Sequence, residues 1–184
     1  MNYYNDNDPD ACAWLRGLIS AGLIPPGDVD QRSIANVQPA DLDGYTQCHF
    51  FAGIGGWSLA LQLSGVGPDV PLWTGSCPCQ PFSSAGKQRG TADERHLWPE
   101  MFRLIRAFRP TLIFGEQVVG AIASGWLDDV CDDLEQAHYT TGADVLPASA
   151  FGFPHERERL YWFAKDAANA DGFGQSEPWQ PRQD

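Results

Sequence analysis

Apolar positions along the chain fall into two alternating kinds of run. Residues 45–51, 72–75, 111–114, 139–146 and 159–164 are short and mostly apolar or β-branched, and read as strands. Between them apolar residues recur at helical spacing. Trp14, Leu15, Leu18 and Ile19 share one side of residues 11–21, with Gly22 at the C-cap position. Residues 57–63 and 121–137 read as helices. So do residues 96–108, with Leu97, Met101, Leu104, Ile105 and Phe108 inward and Pro110 as punctuation. Strands alternating with helices predict an α/β domain with a parallel-type sheet. Residues 1–10 read as disordered and 25–44 as a polar connector rich in Pro and Asp. From 167 onward, Asn, Asp, Gly, Gln and Pro dominate. The expected organisation is an N-terminal helical extension (1–44), a core (45–166) and a flexible tail (167–184).

A length of 184 residues with 43% hydrophobic residues suits one folded domain. No apolar run approaches the roughly 18 residues of a membrane span, and the polar, acidic start is unlike a signal peptide. Five scattered cysteines, an odd number, point to reduced thiols and a cytoplasmic location. Cys77 and Cys79 have no second Cys/His pair at ligand spacing, so no metal is expected. A net charge of −12 argues against a free-standing nucleic-acid binder. The charge is uneven, however. Residues 87–109 carry Lys87, Arg89, Arg95, Arg103, Arg106 and Arg109 against only Asp93, Glu94 and Glu100. Such a stretch is either a solvated helix face or a phosphate-contacting loop.

Four segments carry candidate chemistry. Pro78-Cys79-Gln80 follows a short strand, where α/β enzymes place reactive groups; Pro78 fixes its own φ and holds Cys77 extended, which stiffens the stem of Cys79. Gly53, Gly55 and Gly56 form a turn between a strand and a helix, where backbone can approach a ligand closely. Glu116 ends an apolar strand. Arg157 and Arg159 fall on the same side of an extended chain, where two guanidiniums can grip an anion and a carbonyl. Taken singly, the last three also have structural readings: a tight turn, a surface acid and a salt-bridged edge.

Together and in this order, the segments resemble the DNA cytosine-5 methyltransferase family, in the short form found in bacteria and phage restriction–modification. Phe51-Ala52-Gly53-Ile54-Gly55-Gly56 is similar to its S-adenosyl-L-methionine loop. Pro78-Cys79-Gln80 is similar to its nucleophile motif, and the stretch through Ser83 and Lys87 to its catalytic loop. Glu116-Gln117-Val118 resembles Glu-Asn-Val, and Pro154-His155-x-Arg157-x-Arg159 resembles Gln-x-Arg-x-Arg. The resemblance implies a Rossmann-like methyltransferase sheet and DNA as substrate. Cys79 would attack carbon 6 of a flipped cytosine while Glu116 holds ring nitrogen 3 and the amine. Arg159 would bind the base carbonyl with Arg157 in support. Phe51, Gly53, Ile54, Gly55 and Gly56 would line the cofactor, and Gln80, Ser83, Lys87, Arg89 and Arg95 would contact DNA.

The chain also departs from the pattern. Residues 57–78 leave room for one helix and one strand, where the family fits two further strands bearing acids for the cofactor. The sheet is therefore expected to be trimmed by two strands. The strand at 45–51 would become an edge, covered by the N-terminal helix. His49 stands where the family has an acid, and the chain stops where a target-recognition domain would begin. Two readings follow: a catalytic core that needs a recognition domain or second subunit, or a catalytically inactive binding or regulatory module.

Overall fold

The computed structural model of the chain describes residues 1–78 and 97–168. Among these, seven strands form one sheet: β1 (Asn2–Asn5), β2 (Gly27–Asp30), β3 (Gln47–Phe50), β4 (Leu72–Gly75), β5 (Leu112–Gln117), β6 (Tyr139–Leu146) and β7 (Arg159–Asp166). Their order is β2-β1-β3-β4-β5-β7-β6. The strands from β2 to β5 run parallel, and β7 pairs antiparallel with both β5 and β6. Helices α1 (Pro9–Ser20), α2 (Gly56–Leu63), α3 (Trp98–Phe108), α4 (Gly120–Ala123) and α5 (Trp126–Gln136) complete the α/β architecture. The helix expected at 121–137 is two, because Gly125 at φ 79° breaks it.

The sheet has two apolar faces. On one, Phe50, Trp73, Ile113 and Trp162 pack with α3 and α5 through Met101, Leu104, Trp126 and Val130. On the other, Tyr4 packs with Leu15 of α1 and with Ile24. This two-sided cover is what a parallel sheet requires.

The N-terminal region departs from expectation. Residues 57–78 do hold one helix and one strand, yet the sheet is not trimmed, because β1 and β2 occupy the outer positions. The two strands precede the glycine turn in sequence rather than following it. Thus β3 is not an edge; it lies between β1 and β4. Helix α1 connects β1 to β2 instead of capping an exposed strand.

Residues 2–5 looked disordered because Asn-Tyr-Tyr-Asn is polar by composition. In the fold the two tyrosines point to opposite faces. Tyr3 packs against Tyr45 and Phe50, and Tyr4 stacks on His49 at 5.1 Å. The asparagine amide nitrogens are hydrogen-bonded inside the sheet, while the buried Asn2 Oδ1 has no partner among the described residues. Asn2 donates to Gln47 Oε1 (2.9 Å), and Asn5 donates to the carbonyls of Asp30 and Arg32. Buried polar groups are tolerated when so paired. The expected tail from 167 lies, beyond Ala168, outside the described residues.

Candidate active site

The strand β3 ends in a turn with an unusual backbone. Phe51 and Gly53 both sit at φ 52° and Gly55 at φ 80°. The Gly55 N–H closes the turn on the Ala52 carbonyl at 2.9 Å. A Cβ at Gly55 would lie 3.3 Å from Leu18 Cδ1 and 3.4 Å from Leu15 Cδ2, so this glycine lets the turn rest on α1. Gly53 and Gly56 face open space instead: nothing approaches a Cβ at Gly56 within 4 Å. The exposed N-terminus of α2 follows directly.

Above the turn lies a cavity of about 450 Å³. Phe51, Gly53, Ile54, Glu116 and Arg157 line it. Trp57 and Tyr161 wall it. Trp57 is fixed on three sides: its Nε1 donates to Ser76 Oγ at 3.0 Å, it stacks on Phe114 at 6.0 Å, and it meets Tyr161 edge-on at 6.2 Å. Trp57 and Tyr161 were not among the residues expected from sequence. An aromatic beside a glycine turn, and one two places after Arg159, were the available signals.

Glu116 and Arg159 meet across the β5–β7 pair, with Arg159 Nε 2.8 Å from Glu116 Oε1. The two strands are antiparallel with Glu116 opposite Tyr161, which sets that contact. Arg157 does not share a strand face with Arg159. β7 begins at Arg159, and Arg157 precedes it at φ 25°, in a loop that returns toward the cavity. His155, in place of the family's Gln, is exposed and stacks on Phe153 at 5.9 Å.

Of the two cysteines of the nucleophile segment, the structure describes Cys77. Cys77 is buried, and desolvation pushes its thiol up to about 12. A thiol that stays protonated at neutral pH is a poor nucleophile. Its carbonyl accepts the Gln117 Nε2 hydrogen bond at 3.3 Å, and Gln117 Oε1 accepts the Val118 N–H at 3.0 Å. Gln117 thereby ties the end of β5 to the segment leading to Cys79, a role that sequence reading did not assign. Cys79 itself, with Gln80, Ser83, Lys87, Arg89 and Arg95, lies outside the described residues.

His49 does not face the cavity. It is buried between Tyr4 and Thr74, its Nδ1 2.9 Å from Thr74 Oγ1, and burial lowers its pKa to about 3. Acids come instead from the ends of β1 and β2. Asp28 accepts from the Tyr45 hydroxyl. Burial would raise the Asp30 carboxyl, but hydrogen bonds from Arg32 and Tyr3 outweigh it and hold the pKa below the ordinary value. Asp6 reaches the glycine turn itself, accepting the Gly53 N–H at 2.8 Å.

The residues present fit the S-adenosylmethionine that the resemblance implies. An open glycine backbone, a helix N-terminus, aromatic walls and a carboxylate suit a ligand with an aromatic base, a sugar and an amino acid.

A family model for C-5 cytosine-specific DNA methylase matches residues 67–177. The type II methyltransferase M.NlaX of Neisseria lactamica is 32% identical over 130 residues, covering 66% of this chain and 42% of that protein. M.HhaI of Haemophilus parahaemolyticus is 26% identical over 184 residues, covering 78% and 56%. M.NaeI of Lentzea aerocolonigenes is 35% identical over 174 residues, covering 93% and 36%. The chain therefore spans about half the length of these relatives or less. Among solved structures, a Spodoptera frugiperda DNMT2 mutant superposes with a TM-score of 0.57 at 19% identity, covering 99% of this chain and 45% of that one. A prophage-encoded DNA modification methyltransferase from E. coli, itself described as putative, gives a TM-score of 0.59 at 17% identity, covering 91% and 40%.

Proposed function

The chain belongs to the C-5 cytosine-specific DNA methylase family, and on that premise we propose that it is the catalytic core of a DNA cytosine-5 methyltransferase. The observation that carries the reading is one cavity lined by both the glycine turn and Glu116, whose carboxylate is ion-paired to Arg159 at 2.8 Å. Bound S-adenosylmethionine would supply an electrophilic methyl group for carbon 5 of the target cytosine. The chain's own residues prepare that carbon. The Cys79 thiolate adds to carbon 6 of the extruded base, and the ring's electron pair moves toward carbon 5. Glu116 holds nitrogen 3 and the exocyclic amine and stabilises the charge that develops on the ring. Arg159 orients Glu116 and meets the base carbonyl. After transfer the carbon 5 proton leaves to a base, and elimination restores the Cys79 thiolate.

Target recognition is proposed to come from further polypeptide or a second subunit, with Gln80, Ser83, Lys87, Arg89 and Arg95 meeting DNA phosphates and bases. The support is an apolar surface beside the cavity. Tyr161 and Phe163 on β7 are 38% and 42% exposed, and Phe151 and Phe153 are more exposed still. Aromatic groups this open mark an interaction surface. Among the described residues no helix is long and apolar enough to cross a membrane, and Cys12, Cys48, Cys77 and Cys131 are free thiols. The free thiols suit a reducing compartment such as the cytoplasm. The alternative of an inactive module drew on absent outer strands and on the acidic surface; β1 and β2 fill the strand positions.

Calorimetric titration of S-adenosylmethionine and S-adenosylhomocysteine into the chain tests the proposal. Micromolar binding is expected, and no binding at millimolar ligand would sink the reading.

A further inference from the structure

The segment between β6 and β7 is a loop whose ends are tied together: the Ala148 N–H donates to the Glu156 carbonyl at 2.7 Å. Inside it, a 3₁₀ turn (Ala148–Phe151) stops at Gly152, which sits at φ 84°. The Gly152 N–H donates to the Ser149 carbonyl at 3.1 Å, and the Phe153 N–H to the Ala148 carbonyl at 3.3 Å. These are the two bonds of a Schellman close. Pro154 follows, fixing its own φ and holding Phe153 extended. The backbone beneath Phe153 is thus set from both sides.

An apolar residue after such a glycine commonly packs back on the turn. Phe153 does not; it is 58% exposed. Its ring lies against His155, also exposed, with centroids 5.9 Å apart and planes 14° from parallel. That is an offset-stacked pair. The two rings form a flat shelf on a stiff loop, and the free energy of burying them is forgone. Phe151 is open as well, at 65%, but among the described residues no ring stacks on it. The shelf belongs to the segment that builds the site. Two residues after His155, Arg157 lines the cavity, and Arg159 holds Glu116.

We propose that the Phe153–His155 pair is a stacking shelf for a DNA base beside the target cytosine. The proposal rests on the methyltransferase reading. Extruding a cytosine strips its neighbours of one stacking face. An aromatic face on the segment that supplies Arg157 and Arg159 replaces it, and does so for any base. Stacking is also the contact this loop suits. Glu156 and Glu158 beside the shelf disfavour a phosphate, whereas the face of a base carries no net charge. A shelf already formed loses little conformational freedom on binding. A protein partner would engage the open apolar surface broadly, Phe151 included, while a base needs only the paired rings.

The test mixes the chain with a short single-stranded DNA that carries 2-aminopurine beside a cytosine. Anisotropy of the labelled DNA reads affinity, and 2-aminopurine emission reads stacking. Wild type is expected to bind and to quench the emission. Phe153→Ala and His155→Ala should each weaken binding about tenfold and lose most of the quenching. His155→Phe, which keeps a ring, should stay within about threefold of wild type, and Phe151→Ala should match it. All three positions are exposed, so unfolding midpoints should not move. Equal losses in Phe151→Ala and Phe153→Ala would make the region a general apolar docking surface for protein. His155→Phe as weak as His155→Ala would assign the contact to the imidazole nitrogens. Wild type that neither binds nor quenches would leave no base on the shelf. Each of these results overturns the proposal. The methyltransferase reading fails separately, by absence of S-adenosylmethionine binding in calorimetry. Quenching by a chain that binds no cofactor would uphold the shelf and sink the catalytic reading.

Discussion

Arg159 and Glu116 come from antiparallel neighbours, and their side chains meet at 2.8 Å where Glu116 lines the cavity beside the glycine turn. Both are about a quarter exposed. A pair so placed contributes little to folding, typically under about 1 kcal/mol. Its value lies in holding the Glu116 carboxylate in place at the cavity. Glu116→Ala and Arg159→Ala should each leave unfolding free energy within about 1 kcal/mol of wild type, while methyl transfer falls on the order of 10²–10³-fold. The double variant should be little worse than either single one, because the two groups act as a unit. Denaturant unfolding beside a methyl-transfer assay checks both halves. A large stability loss in Glu116→Ala would assign the pair to the fold rather than to the chemistry.

Gly115 lies directly opposite Trp162 in the β5–β7 ladder. A Cβ there would sit 2.1 Å from the Trp162 ring, which itself is wedged edge-on against Trp98. The ring cannot swing aside without disturbing the core, so Gly115→Ala should cost at least the roughly 1–3 kcal/mol typical of overpacking. Gly115 immediately precedes Glu116, and the strain should reach the site. Thermal unfolding should show a lowered midpoint, and cofactor affinity should drop with it. A variant of wild-type stability would mean that the strand pair can part without loss.

The core strands and the positions of the glycine turn, Glu116 and Arg159 were legible because each carries a local signal. Apolar runs marked β3, β4, β5 and β7, and the motifs marked Gly53, Glu116 and Arg159. The N-terminal strands were not legible. β1 buries Asn2 and Asn5 by hydrogen bonds to Gln47, Asp30 and Arg32, partners up to 45 residues away. No local pattern announces that pairing. For the same reason the acid at position 6 and the strut at Gln117 emerged only from the fold, since each acts on backbone distant in sequence. Arg157 was misread because an extended stretch was assumed where the backbone turns at φ 25°.

The polar ladder that joins β1, β3 and β4 makes stability depend on acid. His49 contacts Thr74 Oγ1 at 2.9 Å and lies 3.5 Å from Asn2 Nδ2, and its burial lowers the pKa from 6.5 to about 3. The unfolded chain takes up this proton below about pH 6.5, whereas the native state refuses it until about pH 3. A folded pKa that is depressed contributes stability above the unfolded value. That stability is lost as pH falls from about 6.5 toward 3, by up to about 1.4 kcal/mol per pH unit. His49→Gln removes the titrating group while keeping a polar side chain in the ladder. Chemical denaturation at pH 7.5, 6 and 5 should show wild type losing stability more steeply than the variant, so that the gap between them narrows with acid. A gap that stays constant over that range would mean His49 is free to protonate in the folded chain, and the sealed ladder between Asn2 and Thr74 would be wrong.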